Sequence, residues 1–369
     1  MITIRFLDEL NNNGVLMNWK QIDELIAQLE ETRDEICCEV NRLLRQPIDF
    51  TELDKLAFRL FDNGLYPREV TQDYFKEHRD EHPVYEQLYQ YKKICQKLTQ
   101  YKNLRSKRDI DGRLRGSWRV DSSSTKRLGC KEPNLMSLPA EIRKHVIPES
   151  GNVIVKCDFS QIELRILAEI SKDQNLIYAF NNDDDIHKYT ASLVFGKSLE
   201  DISEEERAVC KTINFGLIYG MSAATLKEKL QKMNFECSLS YATELRNSFF
   251  DSFPDIKKYQ GVLATSDLLH SLGGSQISAE MLTVNQRLNW PIQTSCSEIL
   301  LESLNELMRN KNESAKLINC IHDEIWIEAD DKTIESEKEM LISSMNTGFR
   351  RYIKSVPCKI DFEIVERSI

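Results

Sequence analysis

The chain has 369 residues, enough for one large or roughly two to three ordinary domains, and its hydrophobic share of 41% and charged share of 29% exclude a disordered protein. No apolar run approaches the length of a membrane span, and the opening MITIRFLDELNNNG lacks the basic start and apolar stretch of a secretion signal. A net charge of −10 argues against a nucleic-acid partner, yet residues 91–144 hold 15 Lys plus Arg against 5 Asp plus Glu, and such a tract acts locally over a Debye length of about 10 Å.

The ten cysteines are scattered without a CxxC pair, which fits free thiols in a reducing compartment and predicts a cytoplasmic location. Residues 19–46 carry Ile22, Leu25, Ile26, Leu29, Ile36, Val40, Leu43 and Leu44 at helix spacing, and Pro47 ends that helix. A shorter helix is expected over 51–62, closed by Asp62-Asn63-Gly64, and Pro83 opens another over 84–102. His78 and His82 stand four apart, but no Glu follows the first His as a zinc protease requires, so the segment reads as an exposed link. From 103 the chain is basic and turn-rich, which predicts short strands and loops with exposed cations. Residues 152–157 form a β-branched run that delivers Asp158, and a helix is expected over 160–171. Residues 176–260 read as successive helices broken near 181–185, 196–203 and 220–222. Strands at 317–321 and 325–328 enclose His322-Asp323-Glu324 as a hairpin with an acidic tip, and 359–366 alternates as a last strand.

Asp158 and Asp323 are the first chemical candidates. If their strands are neighbours, two carboxylates meet at one point and require a cation. Magnesium suits such a site, because substrate phosphates complete its oxygen shell, and two ions about 3.5–4 Å apart can clamp a phosphoryl transfer. Two acids alone serve a nuclease or hydrolase equally well. The second candidate is the helix of SEEERAVCKTINFGLIYG, with Ser203 as N-cap and three Glu in its first turn. Arg207, Lys211, Phe215 and Tyr219 recur every four residues, so two cations and two rings share one face, suited to a triphosphate, a sugar and a base. The plain alternative is a surface ion-pair face, against which stand Gly216 and Gly220, since glycine weakens a helix unless another group approaches closely.

These residues carry a resemblance. DFSQIELR at 158–165, RAVCKTINFGLIYG at 207–220 and IHDE at 321–324 resemble, in order, three motifs of family A DNA polymerases, the bacterial DNA polymerase I type. IPESGNVIVKCDFS, DIHKYTASLVFG and NWPIQTSCSEIL resemble the family around them, and NNNGVLMN resembles the segment leading into its thumb. The resemblance implies an α+β right-hand fold: an antiparallel palm sheet with helices, helical fingers and a short helical thumb. It divides the chain into a thumb region at 1–102, palm at 103–175 and 286–369, and fingers at 176–285. It implies addition of deoxynucleotides to a primer 3′-hydroxyl with release of pyrophosphate. Asp158 and Asp323 would hold two Mg2+ ions, with Mn2+ as a substitute, and Glu324 would be a nearby acid. Arg207, Lys211 and His187 would hold nucleotide phosphates, Lys211 also donating a proton to pyrophosphate. Phe215 would lie on the sugar, Tyr219 would close the site, and Glu163 would be the gate against a ribose 2′-hydroxyl. Gln161, Asn289 and Gln293 would read the minor groove, His322 would contact the primer terminus, and Arg113 and Arg127 would bind primer-side phosphate or minor groove.

The segment HSLGGSQIS departs from the family in lacking the cations of a Gly-Arg-Arg turn, and Asn285 stands where an arginine is common. No set of exonuclease carboxylates is recognisable, so the chain is expected to be a polymerase core without proofreading. Expected partners are primer–template DNA and deoxynucleoside triphosphates, with no membrane and a monomeric state. A separate exonuclease or processivity factor stays open. The alternative from another class is a catalytically weak or inactive protein of the same fold that binds primer–template DNA.

Overall fold

A computed structural model of the protein describes residues 3–45, 47, 48, 50, 53–120 and 123–367. Its centre is a four-stranded antiparallel sheet in the order Ile360–Val365, Asn152–Phe159, Glu324–Asp330, Lys316–Ile321. Strand 152–159 takes an interior place because it buries apolar residues on both faces: Val153, Val155, Cys157 and Phe159 on one and Ile154 on the other. The first of those faces meets the helix Ile334–Tyr352, where Phe159 stacks on Phe349 at 6.2 Å between ring centroids. That helix packs along a second long one, Val284–Asn310, which begins in a capping box between Thr283 and Gln286.

Two helical lobes flank this layer. In one, Trp19–Leu43 packs along Pro83–Ser106. The second of these starts at a proline in the first turn with His82 as N-cap, so the histidine that mimicked half of a zinc motif is a helix cap. In the other lobe, Gln174–Asn181, Ile186–Phe195, Glu204–Leu217, Ala223–Lys232, Leu239–Ser252 and Pro254–Thr265 follow one another, with the three expected breaks and two unexpected ones, at 233–238 and at Phe253. The basic stretch after 106 supplies only short ladders, Arg113–Leu114 against Val15–Leu16 and Ser117–Arg119 against Gly129–Lys131.

The expected helix ends at Gln46, Thr51 and Glu52 lie outside the described residues; Trp19–Leu43 and Leu53–Asp62 are the described spans. The helix beginning at Pro83 runs to Ser106, four residues past expectation. The expected divisions after 102, 175 and 285 all fall inside helices. Among the described residues no helix is long and apolar enough to cross a membrane.

Candidate active site

The sheet register brings the acids together. Asp158 pairs with Glu324 on one side and Asp361 on the other, a row of three carboxylates across three strands on the face opposite Phe159. Strands 316–321 and 324–330 are joined by His322 and Asp323 alone, so Glu324 belongs to the ladder rather than to the hairpin tip. His322 takes a left-handed backbone at φ 57°, and so does Gln161, at φ 54°, just after Asp158. Non-glycine residues adopt this region at some cost, and here two of them flank the two acids.

Asp158, Gln161, Glu163, Phe215, His322, Asp323 and Arg127 line one cleft of about 460 Å³. Asp158 opens onto that cleft, yet enclosure by protein and the nearby Asp323, Glu324 and Asp361 push its carboxyl up to about 7. Enclosure likewise raises Asp323 to about 6, with Glu163 and Glu324 adding to it, and raises Glu324. Hard oxygen donors that repel one another call for a divalent cation. Of these raised acids, Asp158 and Asp323 line the cleft itself. That fits magnesium, which takes one or two carboxylates and completes its shell from water and phosphate.

Helix 204–217 forms one wall. Ser203 and Glu206 form a reciprocal capping box at its start. The helix expected over 203–220 ends at Leu217, which leaves Tyr219 and Gly220 in the turn beyond it, and the two glycines have the reason that the sequence demanded. A Cβ on Gly216 would meet the Met221 side chain, and one on Gly220, at φ +77°, would stand 2.7 Å from Asn285 Oδ1 and 2.8 Å from Leu288 Cδ1. Close approach to helix 284–310 therefore fixes the far end of this wall. Arg207 bonds Asp185, its Nη2 at 2.6 Å from a carboxylate that also N-caps helix 186–195. Lys211 is exposed and forms no ion pair among the described residues. The Tyr219 hydroxyl is buried without a hydrogen bond of good geometry, and burial beside the Glu163 carboxylate raises its pKa well above the tyrosine value. Gln293 and Asn289 lie one and two turns ahead of Ser297 on helix 284–310, and Ser297 lines the cleft.

Two expected contacts need correction. Arg113 is 4% exposed: its guanidinium donates to the Gly14 carbonyl at 2.9 Å and to Glu149 and Glu328 at 2.7 Å each. A guanidinium whose donors are engaged inside the protein has little left for a DNA phosphate. His187 is 3% exposed, exchanges a 3.0 Å hydrogen bond with the Asn214 amide and lies against Phe215. Burial, against the pull of Asp185, lowers its pKa to about 4, so it is neutral and shapes the wall behind Phe215 instead of offering charge to phosphate. The basic tract is also less free than its composition implied, since Lys97, Lys102, Arg105 and Arg115 are paired with Glu141, Glu30, Asp23 and the pair Asp109 and Asp111.

The sequence missed four contributors. Asp361 joins the acid row through strand pairing, for which the alternation over 359–366 was the only signal. Asp185 holds Arg207, and its place before Ile186-His187 marked it as an N-cap. Cys296 and Ser297 line the cleft from a segment whose resemblance had been noted without singling them out.

The model of DNA polymerase family A matches residues 20–367. DNA polymerase I of Aquifex aeolicus is 37% identical over 288 residues, which cover 75% of this chain and 49% of that protein. The thermostable DNA polymerase I of Thermus aquaticus is 27% identical over 399 residues, covering 98% of this chain and 46% of its own. The chain thus spans about half the length of the curated relatives it matches. The fold is also that of a solved structure, the POL domain of Pol1 from M. smegmatis in complex with DNA primer-template and dNTP, at a TM-score of 0.84 and 21% identity over 98% of this chain and 69% of that one.

Proposed function

The chain belongs to DNA polymerase family A, and from that membership we propose that it is a template-directed DNA polymerase that extends a primer 3′-hydroxyl with deoxynucleotides and releases pyrophosphate. The observation that carries this reading is the convergence of Asp158, Asp323, Glu163, Phe215 and Arg127 on one cleft beside the cationic face of helix 204–217. In the terms of the family, the central sheet is the palm, helices 174–265 are the fingers and the pair 19–43 and 83–106 is the thumb.

Asp158 and Asp323 would hold two magnesium ions, or manganese in their place. Bound there, the metal supplies Lewis acidity to the primer hydroxyl and neutralises phosphate charge. The protein's own contributions are positioning and electrostatics. Arg207 and Lys211, one helical turn apart, grip the triphosphate, and Lys211 gives its proton to the departing pyrophosphate. Arg207 exchanges Asp185 for phosphate when a nucleotide enters. Phe215 carries the sugar, with neutral His187 behind it. Glu163 fills the space that a ribose 2′-hydroxyl needs, and Tyr219, beside it, closes on the new base pair. Gln161, Asn289 and Gln293 face the minor groove, while His322 and Arg127 meet the primer end.

Extension of a labelled primer on a longer template, with magnesium and all four deoxynucleotides, tests this. The parent extends in template order, and Asp158→Ala and Asp323→Ala bind the duplex without extending it. A parent that binds primer–template and never extends it would overturn the reading. The same gel without nucleotides tests the expectation that this chain does not shorten primers.

A further inference from the structure

The Leu268–His270 and Gln276–Ser278 hairpin has no part in the scheme above, and its tip, HSLGGSQIS, lacks the cations expected there. In their place stands a hydrogen-bonded relay. The Glu298 carboxylate accepts from Ser271 Oγ at 2.7 Å, from the Gly273 amide at 2.8 Å and from Ser275 Oγ. Ser295, on the same helix, accepts from the Leu272 amide at 2.9 Å. The tip is thus held rigidly on helix 284–310. Ser275 Oγ, oriented by Glu298, accepts in turn from Lys126 Nζ at 2.7 Å. Lys126 has a left-handed backbone, φ 56°, a conformation that a lysine adopts at some cost. A second tie reaches the same loop, for the buried Trp290 indole donates to the Ser124 carbonyl at 2.9 Å. Both ties start from helix 284–310, and both end within three residues of Arg127, the cation on the cleft wall.

We propose that Trp290 and the Glu298–Ser275–Lys126 relay are positioning residues that fix the 123–127 loop and so present Arg127 to the backbone of bound primer–template DNA; this rests on the polymerase reading given above. An arginine on an untethered loop must lose conformational freedom when it meets a phosphate, and a loop already tied at two points has lost part of it beforehand. The tip that lost its own cations serves here to aim a cation carried by another segment.

A double-mutant cycle separates this role from general stabilisation. Affinity for a fluorescent primer–template is measured by anisotropy, without nucleotide, for the parent, Ser275→Ala, Trp290→Phe, Arg127→Ala and the two double variants. Each tie variant weakens binding roughly three- to tenfold in the parent, the range of one hydrogen bond. In the Arg127→Ala background each changes it by less than about twofold. Ser275→Thr, which keeps the hydroxyl, binds as the parent does. Equal losses in both backgrounds, or no loss in the parent, overturn the proposal. A parent that binds but does not extend the primer defeats the polymerase reading and leaves the cycle readable.

Discussion

One sheet carries two acid centres whose treatment is opposite. Four residues along strand 324–330 from Glu324, roughly 13 Å at strand rise, Glu328 is fully buried. Every demand it makes is met: Arg113 at 2.7 Å, the Glu149 amide at 2.6 Å and the Asn152 side-chain amide at 3.3 Å all donate to it. Glu149 extends the network to Lys316 at 3.0 Å. At the other centre, Asp158, Asp323, Glu324 and Asp361 crowd together, and burial with these neighbouring acids raises Asp158 to about 7 instead of lowering it. A centre whose charges are matched inside the chain holds the fold together. One whose charges are left unmatched is kept for something brought from outside.

Removing an acid should therefore have opposite consequences at the two ends. Asp158→Ala or Asp323→Ala cuts the extension rate by about 10³-fold or more, the scale of losing a group that stabilises transition-state charge, while melting temperature holds or rises because a repulsion is gone. A folded, active alanine variant would break the comparison. Glu328→Ala strands the Arg113 guanidinium in the interior and costs about 3–5 kcal/mol of stability in denaturant titration, with the turnover of the folded fraction unchanged. A loss below about 1 kcal/mol would mean that the buried pair is not what fixes that end of the sheet.

The pH dependence follows from the direction of the shifts. Asp158 and Asp323 hold protons in the folded chain at pH values where an unfolded chain has released them. Without metal, their contribution to stability is fully present below the ordinary Asp value of 3.8, declines as pH rises above it and is lost once pH passes about 6 to 7. Magnesium takes the place of those protons, so it raises the melting temperature more at pH 8 than at pH 5.5. Equal metal shifts at both pH values would remove Asp158 and Asp323 as the binding groups.

The smallest effect is expected where an acid and a cation are matched only until a ligand arrives. Asp185→Asn keeps an N-cap for helix 186–195 and loses the charge that holds Arg207. Freed of a partly exposed ion pair worth about 0.2–1 kcal/mol, Arg207 meets phosphate more readily, and KM for the nucleotide falls by up to about fivefold in steady-state extension. A rise in KM would instead make Asp185 the residue that aims Arg207.

Three motifs were readable without coordinates because each sits on one local element. Asp158 lies in a strand with a β-branched run, Asp323 in a two-residue turn, and Arg207, Lys211 and Phe215 follow helix periodicity, with Tyr219 in the turn just past the helix end. Ser203 as N-cap and three of the breaks of the helical lobe were legible for the same reason, since side chains within a few residues decide them. Arg113 and His187 were misjudged because local pattern says which residue is present and not which way the chain then turns it. The first is consumed by Glu328, 215 positions later, and the second by Asn214, 27 positions later.

The sequence by itself determined the types of the elements it named, the acid pair and the spacing of the cations and rings, all of which depend on one strand, turn or helix; helices 284–310 and 334–352 carried no such expectation. Only the tertiary structure decided which charges are matched. Strand register set Asp361 beside Asp158, and burial turned Arg113 inward, because the energy of a charge depends on what surrounds it in space, and those neighbours come from distant parts of the chain.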